Sequence, residues 1–301
     1  SGTVDSYTFS DFDKIVSASI ANTVQQFLYT DPTSLISGKI SVGNSDLELV
    51  GDEINLGTGV TGNGNLFIRP ENNQVDIQIG GVDAGGAQTL ALTTNEVTAI
   101  QPGITSVQIG NNNQIGGIRL GDTVTFTDAL TLQTRGSVEG NVIGGSRAGV
   151  ASDGNIVIES IDGDIALGAI TTNDGSATLL SGNSIEVEFI DTQDPDNTTT
   201  NAQIVVDAQT DFVVTGATAT GSSIVTRRAG ADAVSLRYGN ANRDAVDFTV
   251  GTATSNGTIG KIETGTDSIT TGLFSGDHIV GNIALINRGR SVVTPPLAPP
   301  N

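Results

Sequence analysis

The chain contains no cysteine, no tryptophan and no methionine, and its aromatic complement is three tyrosines and nine phenylalanines in 301 residues. The missing cysteine excludes disulfides, thiolate catalysis and the usual zinc-finger ligand sets. So few large rings exclude a wide globular core, because such a core ordinarily draws much of its volume from aromatic side chains. Basic residues are also scarce. Thirteen Lys and Arg stand against 33 Asp and Glu, giving a formal charge of −20. That balance opposes attraction to nucleic acid and to anionic lipid, and it keeps a long β-rich particle soluble. No apolar run approaches the roughly 20 residues that a membrane-spanning helix needs. A single histidine, His278, sits in a turn-like GDHIVGN context, so a serine–histidine–aspartate arrangement has only one residue to draw on.

What the chain has in quantity is glycine, 39 residues, together with small aliphatic side chains. The glycine share is nearly twice the average of about 7%. Short alternating segments recur, among them Lys39-Ile-Ser-Val, Asp46-Leu-Glu-Leu, Glu53-Ile-Asn-Leu, Asn65-Leu-Phe-Ile, Asp76-Ile-Gln-Ile and Thr89-Leu-Ala-Leu. Their period of two predicts strands, and the Gly, Asn and Asp between them supply turns. The repeat is clearest from Gly154 to Asp191, GNIVIESIDGDIALGAITTNDGSATLLSGNSIEVEFID. There GNIVI, GDIAL, SATLL and NSIEV follow at steps of about nine, twelve and eight, so two steps make a coil of about 20 residues. This reading stacks Ile156 and Ile158 near Ala177 and Leu179, and Ile165 and Leu167 near Ile185 and Val187, with Glu159, Asp164 and Glu186 toward water. The fold class is therefore all-β, a parallel β-helix in which each coil buries its apolar face only against its neighbours.

Three regions follow. Residues 1–36 form an N-terminal capping or joining segment, in which Phe12 to Tyr29 mixes helical spacing with strand-like alternation. Residues 37–290 form the β-helix domain. Residues 291–301, ending in Pro295-Pro-Leu-Ala-Pro-Pro, form a proline-rich linker or tail. The opening at Ser1 and the absence of methionine read as a processed or internal piece of a larger exported protein.

Two blocks carry a family resemblance. Gly62 to Thr134 runs GNGNLFIRPENNQVDIQIGG through LALTTNEVTAIQPGITSVQIGNNNQIGGIRLGDTVTFTDALTLQT. Leu236 to Ile269 runs LRYGNANRDAVDFTVGTATSNGTIGKIETGTDSI and is followed by GNIALINRG. These blocks resemble the large filamentous-haemagglutinin-type exoproteins of cyanobacteria, a family associated with two-partner secretion. The resemblance implies a right-handed parallel β-helix at the cell surface or outside the cell, with an adhesive or filament-building role and no catalytic residues.

Candidate chemistry is sparse. Asp191, Asp194 and Asp196, with Asn197, place hard oxygen donors close together and are the candidate calcium ligands, against the plainer reading of a solvated acidic loop. No other cofactor is expected. Polysaccharide lyases and hydrolases also use β-helices, and the pattern that would mark one is Asp or Glu on neighbouring coils beside Lys or Arg. In sequence, Lys14, Lys39 and Lys261 are the only lysines, and Arg227 and Arg228 adjoin no acidic cluster. The threonines of TVTFTDALTLQT, Thr123 to Thr134, offer a hydroxyl face for glycan or ice, but threonine is also an ordinary strand residue on a solvent face. The expected function is that of a secreted or cell-surface structural or adhesive protein, not an enzyme, with end-to-end self-association and extracellular glycans as the partners to test.

Overall fold

The protein was described from a computed structural model. It covers residues 46–192 apart from 58, 84–88 and 174, then residues 202–210 and 212–216. Beyond these spans it gives the strands at 14–16, 24–28, 35–36, 39–42, 222–226, 234–238, 249–250, 261–264, 267–270 and 283–287.

Alternating side chains make the middle coils easy to follow. Ile156–Ser160 is a long strand with Ile156, Ile158 and Ser160 inside and Val157 and Glu159 outside. A corner leads to Ile165–Leu167, and Gly168-Ala169 leads to Ile170–Thr172. The chain then returns to the first face at Ala177–Ser181. Each coil thus has three sides. Stacked coils form three sheets of ten, eight and seven strands, parallel throughout except for the antiparallel last pair of the seven-stranded one, Lys261–Thr264 with Asp267–Thr270; we call them the long, second and third faces. The expected partners meet in register: Ile156 beside Ala177, Ile158 beside Leu179, Ile165 beside Ile185 and Leu167 beside Val187. Glu159, Asp164 and Glu186 are half-buried on the outside.

The shortest coils keep the expected repeat, while insertions at corners lengthen others and bring the mean spacing to about 23 residues over about seven turns. Leu130 and Ile156, adjacent on the long face, are 26 residues apart because a hairpin stands between them. The segment Phe12 to Tyr29 contributes strands Lys14–Val16 and Val24–Leu28, not a described helix. Both pair in parallel with the next coil, Lys14 beside Lys39 and Val24 beside Asp46. The one described helix is instead Thr94–Ala99. It belongs to an excursion in which Thr89–Leu92 pairs with Asp76–Ile79 from the opposite side to Ile118–Leu120, and Ile100 rejoins the stack as a bridge to Val60.

The interior explains the composition. One coil contributes Ile156, Ile158, Ile165, Leu167 and Ile170, and the next contributes Ala177, Leu179, Ile185, Val187 and Ile190, all essentially inaccessible. A coil only one strand thick leaves room for about five aliphatic groups. Aromatic rings enter rarely, as at Phe212, which stacks on Ile185. Each fully buried aliphatic side chain contributes roughly 1.5–3 kcal/mol.

Corners raise the opposite problem, since a turn leaves backbone carbonyls outside the strand ladder, and a buried carbonyl without a donor is costly. A column of inward hydroxyls meets them. Thr134, Ser160 and Ser181 stand in register at the end of the long face. They donate to the carbonyls of Gly116 at 2.6 Å, Gly136 at 2.7 Å and Gly163 at 2.8 Å, each on the preceding coil. Ser152 and Thr226 do the same at the corner leading back into the long face, donating to Asp128 and Ala202. Coils also approach closely there: a Cβ on Gly182 would run into the Ile161 carbonyl of the coil below.

Because Leu179 is fully buried while its neighbour Thr178 faces outward, Leu179→Ala should cost about 2–5 kcal/mol of unfolding free energy. Thr178→Ala should change it by no more than about 0.5 kcal/mol. Denaturant titration of the two variants checks the inside–outside assignment, and equal losses would contradict it.

Candidate functional site

Side chains that point outward from successive coils form columns about 4.8 Å apart per strand, so distant parts of the chain become neighbours. On the second face one such column runs Gln78, Arg119, Glu139, Ala166, Glu186 and Val213. Ala166 is short and stands between two glutamates. The resulting depression is a groove of about 390 Å³, rimmed by Glu139, Arg147, Asp164, Asn183, Ser184 and Glu186. Its polar side chains are mostly fixed. Asp164 Oδ1 accepts from Asn183 Nδ2 at 2.7 Å and from the Ser184 amide at 3.0 Å. Arg147 Nε donates to Glu186 Oε1 at 3.0 Å. Glu139 is exposed and forms no ion pair among the described residues.

Arg147 reaches the groove because of a second device. The corner between Leu167 and Ile170 needs two residues, but the equivalent corner after Gly140 carries the antiparallel hairpin Val142–Ile143 and Ser146–Arg147. Its turn is Gly144-Gly145, with φ of +63° and +100°, left-handed values that a two-residue hairpin turn requires and glycine adopts at low cost. The base of the hairpin continues the corner ladder, Asn141 N–H to Leu120 O and Ala148 N–H to Asn141 O. The tip is surplus to the coil.

A second carboxylate group lies at the excursion. Thr93 caps the short helix, and Glu96 completes a capping box by accepting from the Thr93 amide at 2.8 Å and hydroxyl at 2.7 Å. The other oxygen of Glu96 accepts the Leu56 amide at 2.8 Å, which ties the helix to an earlier coil. Burial raises the Glu53 carboxyl above its ordinary value of 4.5, and the nearby charges of Asp83 and Glu96 push in the same direction.

Of the candidate calcium ligands, Asp191 is a half-buried outward residue of Ile190–Asp191, in register with Thr171 and Val225. Asp194, Asp196 and Asn197 lie outside the described residues, as do His278, Arg227 and Arg228. Among the described residues no three or more His, Cys, Asp or Glu side chains converge as a metal site. No described helix is long and apolar enough to cross a membrane. The threonine run is divided: Thr125 points out from the third face, Thr131 points out from the long face and Thr134 points in. Thr131 stacks with Gln108, Val157, Thr178 and Val205, so its column is mixed.

The sequence reading missed the groove and the helix. Glu139 and Arg147 share one coil, whereas Glu186 lies two coils later, and only the coil register together with the hairpin insertion would have joined them. The helix had a legible signal in Thr93-x-x-Glu96. The geometry defines a three-faced β-solenoid with a charged surface groove. No family model, curated protein or solved structure matches the chain.

A raised folded-state value means that protonated Glu53 contributes stability fully present below the ordinary glutamate value and lost as pH rises through the raised one. Glu53→Gln should therefore raise the melting temperature at about pH 7, with the gain vanishing near pH 3.5. Thermal unfolding at the two pH values checks this, and a gain independent of pH would exclude the carboxylate as its cause.

Proposed function

We propose that this chain is a secreted or cell-surface structural and adhesive module, a rod segment of a filamentous-haemagglutinin-type exoprotein. The observation that carries the reading is the continuous long face, ten parallel strands from Val24–Leu28 to Ile283–Asn287. At the normal strand spacing this sheet is about 45 Å long. A stack of this kind builds reach and repetitive surface in preference to an enclosed chamber, and its groove is open to solvent on the outside. The charge of −20 keeps such rods apart laterally. End-to-end contact, by contrast, extends the strand ladder, and because the two ends differ, a head-to-tail contact propagates as a fibre. The proline-rich tail joins the rod to its neighbour or to the rest of the exoprotein, and extracellular glycans are its adhesive ligands. The resemblance of residues 62–134 and 236–269 supports the setting.

The groove carries the pattern that would mark a polysaccharide-acting enzyme, Glu139, Asp164 and Glu186 on neighbouring coils beside Arg147; the structural reading is kept because Glu186 is paired with Arg147 and Asp164 accepts from Asn183 and Ser184. Protease treatment of intact producing cells should remove the protein from their surface, and electron microscopy of the released material should show rods or fibres. Retention inside protease-treated cells would sink the surface assignment, and round particles would sink the rod.

A further inference from the structure

Of the three faces, the long one alone keeps an unbroken ladder from Val24–Leu28 to Ile283–Asn287. The other two stop and restart at the excursion. The first coils place Leu35–Ile36 and Asn55–Leu56 in a separate two-stranded sheet, and Lys14–Val16, Lys39–Val42 and Val60–Gly62 in a separate three-stranded one. The second face then begins at Thr89–Leu92 and the third at Val124–Phe126. The excursion is the cause. Thr89–Leu92 doubles the second side of its coil, and the helix Thr94–Ala99 occupies the third side, where the next coils carry Val124–Phe126, Val150–Ser152 and Ile170–Thr172. A helix spends its backbone donors and acceptors on itself and offers no ladder to the coils on either side.

Among the described residues, backbone pairing across this seam on the second and third sides is the single bridge of Val60 to Ile100, beside which the Gln101 amide donates to the Val60 carbonyl at 2.8 Å. Glu96 supplies a further tie. One of its oxygens holds the Thr93 amide and hydroxyl at the start of the helix, and the other accepts the Leu56 amide at 2.8 Å from the opposite side of the seam. Burial and the charges of Asp83 and Glu96 raise the Glu53 carboxyl, so like charges face one another here. The apolar core nevertheless runs through, with Leu56, Leu90, Leu92 and Val97 buried in one cluster, which keeps the seam dry at rest.

We propose that the excursion is a breakpoint built into the rod, with Glu96 as its latch: the coils up to Gly62 open together as one unit while the stack from Asn65 onward stays closed. Detaching them breaks one full ladder, Asp46–Val50 from Asn65–Arg69, together with the bridge and the Glu96 tie. Separating later coils, such as those that begin at Ile156–Ser160 and Ala177–Ser181, breaks three ladders at once. A rod under tension therefore gives first at the seam. The breakpoint follows from the stacking alone and is independent of what the rod adheres to.

Native-state hydrogen exchange of the full chain, followed by mass spectrometry in rising sub-denaturing urea, tests this. Amides of Lys39–Val42 and Asp46–Val50 should open together, at least about ten-fold more often than those of Asn65–Arg69, Ser106–Gly110 and Ala129–Thr134, which should resemble one another. Ordinary fraying would instead give protection that rises evenly from coil to coil, and that gradient would overturn the proposal. Glu96→Gln replaces one accepting oxygen by a donor and should speed exchange over 46–62 about ten-fold while leaving 130–181 unaltered. Glu159→Gln makes the same change on a later coil, where the carboxylate accepts from Gln133, and should not alter exchange over 46–62. Equal acceleration by the two variants, or none from a Glu96→Gln chain whose far-UV circular dichroism is that of the parent, would overturn the latch. The step in the parent needs no substitution, so it decides the breakpoint even where a variant fails to fold.

Discussion

Every other feature of this molecule depends on parallel backbone pairing between one coil and the next. A single coil holds about five aliphatic side chains around no closed core, and its strands are two to six residues long, too short to persist alone. Stacking supplies both missing elements together: each strand finds donors and acceptors above and below, and each inward side chain finds its counterpart in register. Ile158 needs Leu132 on one side and Leu179 on the other. The hydroxyls of Thr134, Ser160 and Ser181 extend the same logic to the corners, where the ladder stops and the carbonyls of the preceding coil need a donor.

The constraint also dictates where variation is tolerated. Inward positions are held to small aliphatic groups by the thickness of the coil, and sites such as Gly182 are held by backbone contact. Corners that face solvent can lengthen without disturbing the register, because the hydrogen bonds at the base of an insertion close the coil beneath it. The hairpin at Val142–Arg147 and the excursion carrying the helix are two such insertions. The surface chemistry gathers at them: the charged groove adjoins the first, and the carboxylates of Glu53 and Glu96 adjoin the second. The stack supplies length and spacing, while the corners supply particular chemistry.

This division accounts for what the sequence made legible. The pairing of Ile156, Ile158, Ile165 and Leu167 with residues about 20 positions later was readable, because alternation over five residues and a repeated interval are strong signals. The third face was not. Ile170–Thr172 and Ile190–Asp191 are too brief to show a period, so the coil looked two-sided. Phe12 to Tyr29 carried both helical spacing and strand-like alternation. Its described parts, Lys14–Val16 and Val24–Leu28, are strands paired with the next coil, whereas the described helix, six residues from Thr94, had only its cap as a signal. The groove needs residues from separate coils, so its members carry no local pattern. Its detection requires the register first.

That register is the account's central claim, and the absence of cysteine makes it directly testable. Val157 and Thr178 face outward side by side, while Val205 stands beyond Thr178, two strands from Val157. Adjacent strands bring Cα atoms to about 5 Å, within disulfide reach, and two strands double the distance beyond it. Under mild oxidation, Val157→Cys with Thr178→Cys should form an intramolecular disulfide in high yield, and Val157→Cys with Val205→Cys should remain reduced. The reverse pattern, or equal yields from the two pairs, would contradict the stacked-coil structure.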